Sequence, residues 1–320
     1  MRCLCGLFGR SKQAFYKHDE DALLSRAARS EFVVDYVLSI RRKDPGIGGL
    51  KLWHMYKKAF SGNAPVGRDA FMTILSDNGL KVRDKPRRPK TTDSAHGLPV
   101  YPNLVKEYIP DAPDRLWVSD ITYVTVWPEK DRYAFCYLSM VMDAYTEEII
   151  GWSVRETLGV SGPLEALRMA LGHRGIQGRG LIHHSDRGCQ YASREYVSEL
   201  RRHGISISMT ECGDPKENAQ AERVNGTMKN ELLKGMVFRD IAQARSAIGR
   251  AVEFYNKERP NMSIDMMTPS EAAARTGEIK KRWTSYRLAA IKSKQEGLIV
   301  PENSLPLQQS RPAAGIPAAQ

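Results

Sequence analysis

Residues 116–127 read Leu-Trp-Val-Ser-Asp-Ile-Thr-Tyr-Val-Thr-Val-Trp, a run rich in β-branched and aromatic residues. Residues of these types favour the extended backbone of a strand. Outward from this run toward the C-terminus, the sequence pattern predicts strands at 132–142 and 148–154, a helix at 161–173, a strand at 180–185, a helix at 193–203 with Ser193 as its N-cap, a strand at 205–209, and helices at 217–234 and 240–257.

The order of these elements, three strands followed by alternating helices and strands, indicates an α/β fold. A strand–helix–strand unit needs a parallel crossover, whereas consecutive strands joined by tight turns pair antiparallel. The sequence therefore predicts a mixed five-stranded sheet with helices on both faces. That element order resembles the RNase H-like fold.

The chain before this sheet is basic and helical. Of 320 residues, 48 are Lys or Arg and 37 are Asp or Glu, a net charge of +11, and residues 1–110 alone hold 20 basic against 11 acidic residues. Apolar residues recur with helical spacing at 21–40, 49–60 and 67–79. Short basic helices joined by glycine-containing turns are typical of helix-turn-helix modules, which predicts a DNA-binding region over 1–80. A small helical bundle without a ligand is the alternative.

Residues 81–112 form a predicted linker that is rich in proline and, at its start, in positive charge. Its first ten residues, KVRDKPRRPK, include Lys85, Arg87 and Arg88, which we expect to lie along a DNA backbone. The catalytic core is predicted over 113–276. Residues 277–320 are predicted to hold a C-terminal helix and a loose tail, because the last part is rich in Pro, Gln and Ala and shows little periodicity.

Membrane proteins and secreted disulfide-rich proteins are excluded by composition. No stretch approaches the roughly 18 consecutive apolar residues that span a bilayer, and the N-terminus lacks the pattern of a signal peptide. The five cysteines are irregularly spaced, with no pairing that suggests zinc. We expect a cytoplasmic protein that has no membrane partner.

Two aspartates occupy positions where chemistry is expected. Asp120 stands in the middle of the first predicted strand, and aspartate is a poor strand former. Asp186 ends the fourth predicted strand, and ligands gather at the carboxyl ends of strands in open α/β sheets. Beside it, Arg187 is a candidate DNA contact, and His184 is a candidate for holding a carboxylate or phosphate in place. Read alone, Asp186-Arg187-Gly188 is also an ordinary turn in which Gly188 supplies a positive φ.

The predicted helix over 217–234 supplies a third carboxylate. Glu222 borders the apolar stripe of this helix. At about 100° per residue, Glu217 and Glu231 lie about 140° and about 180° away from Glu222. Glu222 is therefore the glutamate expected to face the two aspartates. Lys229 falls within about 20° of Glu222 on an ideal helix and is a candidate phosphate contact.

These residues form a motif known from one family. Asp120, Asp186 and Glu222, with 35 residues between the last two, resemble the DD(35)E signature of retroviral integrases and related bacterial transposases. The phrases W-x-x-D-I-T-Y from Trp117, H-S-D-R-G-x-Q-Y from His184 and E-x-x-x-x-x-x-K from Glu222 resemble the insertion-sequence-three family, in its downstream-frame OrfB-type protein. The closing segment Tyr255-Asn256…Arg259-Pro260…Thr268-Pro269 is similar to that family's Y-N-x-x-R-P…T-P motif.

The resemblance implies a transposase that cuts the ends of a mobile element and joins the freed 3′-OH to another DNA. It implies two divalent ions, Mg²⁺ or Mn²⁺, held by the three carboxylates, which suits the preference of these hard ions for oxygen. Its partners would be double-stranded DNA, further copies of the chain in a homo-oligomer, and an upstream helix-turn-helix protein or a frameshift fusion with it. A nuclease of the same fold without a joining step, and a non-catalytic DNA-binding derivative, are the alternatives.

Overall fold

A computed structural model of the chain describes residues 20–60, 64–82, 97–129, 132–175, 180–211, 217–279 and 293. The described residues up to 279 belong to one compact unit, Met1–Arg282. Within them, no helix is long and apolar enough to cross a membrane. The predicted DNA contacts Lys85, Arg87 and Arg88 lie outside the described residues.

Five strands form one mixed sheet in the described part of the chain, and the predicted fold class is confirmed. The strands are β1 (Leu116–Glu129), β2 (Arg132–Asp143), β3 (Ile149–Arg155), β4 (Ile182–Ser185) and β5 (Ser206–Met209). Their order across the sheet is β3-β2-β1-β4-β5. The first three strands pair antiparallel, while β4 pairs parallel with both β1 and β5.

The central strand β1 is much longer than its neighbour β4, and this difference creates the site. Along β2, the pairing of β1 extends from Trp117 to Glu129. Along β4, it extends only from Leu116 to Val118. Beyond Val118, no described residue pairs with the β4 side of β1 until Val126, which bridges to Phe238. Asp120 lies at the start of this open edge.

Helices cover both faces of the sheet. In chain order the helices of the sheet region are α4 (Ser161–Arg174), α5 (Cys189–Ala192), α6 (Arg194–Arg202), α7 (Ala219–Thr227), α8 (Ile241–Lys257) and α9 (Pro269–Ala274). On β1, Leu116 and Val118 pack toward α7 and α8, while Trp117 packs toward α4 and α6. Ser193 caps α6 as predicted, since its side chain accepts from Tyr196 N. The short helix α5 was not predicted.

The helix predicted over 217–234 differs from the prediction in where it begins and in the geometry of its last turn. The α-helical part α7 begins at Ala219 and ends at Thr227, and a π-helical turn follows over Met228–Leu232. In that turn Leu233 N donates to Met228 O, five residues back. The predicted apolar stripe is nevertheless confirmed, because its members are buried in the core: Ala221, Val224, Met228 and Leu232.

The three predicted N-terminal helices are confirmed as α1 (Glu20–Arg41), α2 (Gly49–Ala59) and α3 (Arg68–Asp77). They share a core of their own that includes Val33, Val37, Leu52, Tyr56, Phe71 and Leu75. Residues 101–108, which follow the predicted linker's basic start, pack on the sheet region. Val105 is buried in its core, and Leu104 N donates to Ser208 Oγ at 2.9 Å.

Candidate active site

The parallel pairing of β1 with β4 sets two aspartates side by side. Val118 on β1 lies opposite His184 on β4. Two residues further along both strands, the same register brings Asp120 level with Asp186, which directly follows β4. This is the point where β4 ends and the edge of β1 opens, so both side chains lie at the carboxyl end of the parallel part of the sheet.

Burial and the repulsion between neighbouring carboxylates raise the pKa of Asp120 to about 7 from its ordinary 3.8. Burial is the largest cause, the Asp186 carboxylate is the next upward cause, and Glu222 adds a smaller contribution. A hydrogen bond from Asn225 opposes the shift. Asp186 and Glu222 are therefore both near enough to Asp120 to destabilise its charged form.

The turn after Asp186 is held by the aspartate itself. Gly188 N donates to Asp186 Oδ1 at 2.9 Å. The expected positive φ at Gly188 is wrong, because its φ is −59°. A Cβ there would lie 2.9 Å from Gln190 Oε1 and 3.0 Å from Asp186 Oδ1, so a larger residue would have to displace these two side-chain oxygens.

The remaining residues of the H-S-D-R-G-x-Q-Y phrase brace this turn against neighbouring segments. Gln190 Nε2 donates to Leu158 O at 3.0 Å. The buried Tyr191 hydroxyl lies 3.1 Å from Ser119 Oγ, directly beside Asp120 in the chain. Ser119 Oγ in turn donates to Met140 O on β2. The hydroxyls of Tyr191 and Ser119 therefore link α5 to the strand that carries the first aspartate.

Helix α7 carries Glu222 and lies across the open edge of β1. Asn218, immediately before the helix, donates from Nδ2 to Ser119 O at 3.1 Å. One turn after Glu222, Asn225 donates from Nδ2 to Asp120 Oδ2 at 2.7 Å. The Glu222 side chain itself is exposed, in the first turn of the helix. Sequence reasoning missed Asn218 and Asn225, although the spacing of Asn225, three residues after Glu222 on the helix, was a signal that the two share a side.

Lys229 is half-buried, and its ammonium lies 3.7 Å from the centroid of the Tyr123 ring on β1. Burial lowers its pKa. The ideal-helix geometry that placed it on the face of Glu222 ends at Thr227, where the π turn begins. Its assignment as a phosphate contact stays a prediction.

His184, Arg187 and Glu217 connect the loops around the site. The ring nitrogens of His184 lie 2.9 Å from Ser208 Oγ and 3.1 Å from Glu217 O, so this buried side chain joins β4 to β5 and to the segment before α7. Arg187 Nε donates to Thr210 O at 2.6 Å. Glu217 Oε2 accepts from Glu211 N at 2.7 Å. These contacts suit residues that shape the site, and the predicted DNA contact of Arg187 stays a prediction.

The donor set at this edge is chemically suited to a hard divalent cation, which prefers carboxylate oxygens. The repulsion that contributes to the raised pKa of Asp120 is the kind of cost that such a cation would remove. Among the described residues, however, no group of three or more His, Cys, Asp or Glu side chains is drawn together closely enough to hold a metal ion as it stands.

Two family models match this part of the chain. Both are described as an integrase core domain, and they match residues 110–215 and 203–269. Together they span the sheet, both aspartates and the helix that carries Glu222.

Several known proteins are similar over most of the chain. A protein assigned as the transposase for insertion sequence element IS986/IS6110 of Mycobacterium tuberculosis (strain ATCC 25177 / H37Ra) is 33% identical over 81% of this chain and 93% of its own length. Transposase InsF for insertion sequence IS3A of Escherichia coli (strain K12) is 30% identical over 62% of this chain and 67% of its own. The solved catalytic core domain of HTLV-2 integrase in complex with magnesium is 19% identical, with a TM-score of 0.39 over 51% of this chain and 97% of that chain.

Proposed function

The chain belongs to the family of insertion-sequence transposases with an integrase core domain, and from this premise we propose that it cuts and joins DNA at the ends of a mobile element. The observation that supports the proposal is that Asp120 lies level with Asp186 at the open edge of β1, while Glu222, on the helix across this edge, is near enough to raise the pKa of Asp120. In the proposed reaction, water attacks a phosphorus atom at the element end, a P–O bond forms, and the P–O3′ bond breaks. The freed 3′-OH then attacks a second phosphodiester, so one P–O3′ bond forms as another breaks.

The three carboxylates are proposed to act as ligands for two divalent ions, Mg²⁺ or Mn²⁺. Such ions would neutralise charge on the phosphate and lower the pKa of the attacking hydroxyl. The exposed Glu222 side chain would have to turn toward the aspartates, and a flexible glutamate in the first turn of α7 can do so by changing rotamer. Asn225 would hold the Asp120 carboxylate in one orientation while this happens, because its amide is already hydrogen-bonded to Oδ2.

Phosphate recognition is assigned to cations beside and before the core. Lys229 lies on the same helical segment as Glu222 and is proposed to contact a phosphate near the scissile bond. The charge excess in residues 1–110 supports a role of the N-terminal helices and of Lys85, Arg87 and Arg88 in binding the flanking duplex. We also propose the domain division predicted above, with residues 1–80 as the DNA-binding region and 113–276 as the catalytic core.

Two element ends must be held together for joining, and this supports a homo-oligomer as the active form. Action as part of a frameshift fusion, or together with an upstream helix-turn-helix protein, also remains a proposal. A nuclease without a joining step and a non-catalytic DNA-binding protein are the competing functions. The intact acids at all three positions count against the second of these.

One assay separates these functions. A labelled duplex that carries the element end is incubated with the chain, target DNA and Mg²⁺ or Mn²⁺. A transposase gives both cut and joined products, a nuclease gives cut products only, and a DNA-binding derivative gives only a shifted band. An Asp120→Asn chain serves as the control and should leave the shifted band while both products disappear, because the amide cannot supply the charge that a hard cation requires.

A further inference from the structure

The end of the helical segment that carries Glu222 is fastened to the N-terminal helical region. Gly46, in the turn between α1 and α2, donates from its backbone N to Glu231 O in the π turn at 2.9 Å. A Cβ on Gly46 would overlap Glu231 Cα and lie 2.9 Å from Asn230 O. The two backbones therefore touch directly, and a carbonyl oxygen in the last turn of the segment is satisfied by a partner outside the helix.

The Glu231 side chain lies at the centre of a charged cluster in the same place. Arg259 donates to it from Nε at 2.7 Å and from Nη2 at 3.0 Å, a bidentate pair in which Arg259 is 6% exposed. Lys51 on α2 donates to the same carboxylate, with its Nζ 3.1 Å and 3.2 Å from the two oxygens of Glu231. Burial raises the pKa of Glu231, but the hydrogen bonds and charge of Arg259, the charge of Lys51 and a hydrogen bond with the buried Asp44 carboxyl hold it well below its usual range.

Arg259 belongs to the Tyr255-Asn256…Arg259-Pro260 motif, which the proposed chemistry leaves without a role. In the structure this motif joins three parts of the molecule. Asn256 on α8 accepts from Ile149 N at 3.0 Å and donates to Ile149 O at 2.8 Å, as a neighbouring strand would. The Arg259 guanidinium lies 5.3 Å from the Tyr255 ring centroid and donates two hydrogen bonds to the Glu231 carboxylate. The motif thus ties β3 and α8 to the helical segment that carries Glu222.

The segment from Asn218 to Leu232 is consequently attached at its start, its middle and its end, and Gln220 adds a hydrogen bond to Ala144 O. Asn218 fixes its start to β1, Asn225 fixes its middle to Asp120, and Glu231 fixes its end to Arg259 and Lys51. A helix held at both ends has little freedom to shift along or about its axis, so its attachments determine where Glu222 can reach. A π turn in a helix frequently marks a functional site, and here it is the turn that presents Glu231 to its partners.

We propose that Glu231, Arg259 and Lys51 are positioning residues, which hold the helix so that Glu222 reaches the two aspartates. The N-terminal helical region is then part of the catalytic unit, and not only a means of holding DNA, because it supplies Lys51 and Gly46. This inference rests on the proposed function, since it assigns Glu222 to the same site.

The test uses the full chain with Glu231→Gln, Lys51→Met and a matched control, Glu148→Gln. Glu148 also forms a largely buried ion pair, with Arg174 at 2.7 Å, but its side chain bonds to Arg174 and Ser270 and not to the Glu222 helix. For each chain four quantities are measured: the melting temperature, the affinity for Mn²⁺ without DNA, and the kcat and KM of end cleavage.

We expect Glu231→Gln and Lys51→Met to lower kcat and the Mn²⁺ affinity by about tenfold or more, while KM for the DNA end stays within about twofold. Glu148→Gln should lower the melting temperature without changing kcat or the Mn²⁺ affinity. If Glu231→Gln fails to fold, Lys51→Met decides, because it leaves the Arg259–Glu231 pair intact.

Folded Glu231→Gln or Lys51→Met chains with unchanged kcat and Mn²⁺ affinity would overturn the inference. So would an equal loss in Glu148→Gln, because the effect would then follow stability alone. If the proposed function itself is wrong, the unmodified chain will neither bind Mn²⁺ nor cleave the DNA end, and this result distinguishes the two failures.

Discussion

Asn225 Nδ2 lies 2.7 Å from Asp120 Oδ2 and joins the helix that carries Glu222 to the strand that carries the first aspartate. The bond orients Asp120 and offsets part of the repulsion that Asp186 and Glu222 exert on it. It is therefore both a mechanical link between two of the proposed ligands and an electrostatic contribution to the site.

Removing this amide should impair catalysis more than folding. A hydrogen bond to a charged group contributes about 1.5–3 kcal/mol to stability. Asn225→Ala should lower kcat by about a hundredfold or more, because Asp120 also loses the group that orients it. Because Asn225 holds the pKa of Asp120 down, the acidic limb of the pH–rate profile should also move to higher pH. Asn230→Ala, on the exposed side of the same helical segment, is the control. A pH profile and kcat unchanged in Asn225→Ala would show that the contact has no role in catalysis.

The raised pKa of Asp120 predicts how the metal-free chain responds to pH. Its folded pKa of about 7 exceeds the ordinary 3.8, so the folded state binds the proton more tightly than the unfolded state. This contribution to stability is present at low pH and is lost as pH rises from about 4 to about 7. In Asp120→Asn, the melting temperature without metal should therefore fall less over that interval than in the unmodified chain. Identical slopes in the two chains would contradict the prediction.

Metal binding should follow the same titration. A cation at Asp120 competes with the proton, so the Mn²⁺ affinity of the unmodified chain should rise with pH, by up to about tenfold per unit, and level off above about 7. Calorimetric titration at several pH values measures this directly. An affinity that is flat between pH 5 and pH 7 would show that Asp120 loses no proton when the ion binds.

The three glutamates of the Glu222 segment should respond differently to conversion to glutamine. Glu222→Gln should abolish cleavage and joining, retain DNA binding and weaken Mn²⁺ binding, because the amide cannot supply a charge to a hard cation. Glu217→Gln should retain most activity, since its carboxylate accepts from Glu211 N in the preceding loop. From the sequence alone, Glu231→Gln was expected to do the same. The structure revises that expectation, because Glu231 is held by Arg259 and Lys51 and its loss should reduce both stability and kcat. An active Glu222→Gln chain would overturn the site assignment.

Lys229→Ala tests the proposed phosphate contact. The substitution also removes the cation from the Tyr123 ring, and a cation–π contact is worth about 0.5–2 kcal/mol, so a small loss of stability is expected. End cleavage should fall well beyond that loss. Lys257→Ala, at an exposed position that pairs with Glu253, is the control and should leave cleavage unchanged. Cleavage kinetics in Lys229→Ala equal to those of the control would leave Lys229 as a packing residue only.

Charge in the basic segment should appear in the salt dependence of DNA binding. Replacing Lys85, Arg87 and Arg88 with serine in the full chain should reduce the slope of log K against log[salt] by about 0.9 for each phosphate that these side chains no longer neutralise. Binding should weaken to a similar extent for all duplex sequences. A matched replacement of Arg239, Arg250 and Lys257, which are exposed in the core region, shows whether the effect belongs to the basic segment. Equal slopes in the unmodified and the Lys85/Arg87/Arg88 chain would place the phosphate-binding residues elsewhere.

The sequence by itself determined the elements and the identity of the candidate acids. Strands and helices were predictable because alternation and helical recurrence of apolar residues are local properties, as in 116–127 and in the buried stripe of α7. Asp120 stood out because aspartate is unfavourable in a strand, and the spacing of Asp186 and Glu222 completed a motif. Even the choice of Glu222 over Glu217 followed from helix geometry.

Only the tertiary structure decided how these parts are held. The pairing of β1 with a four-residue β4 leaves the edge of β1 open at Asp120, and strand length relative to a distant neighbour is not encoded locally. The π turn at Met228–Leu232, which ends the ideal geometry behind the placement of Lys229, accompanies contacts from Gly46, Lys51 and Arg259. The φ of Gly188 is negative, so its backbone conformation does not call for glycine. The restriction there comes from the Asp186 and Gln190 side chains, which a Cβ would approach closely. Each of these features depends on residues far apart in the chain that meet only after folding, and no local pattern can report such a meeting.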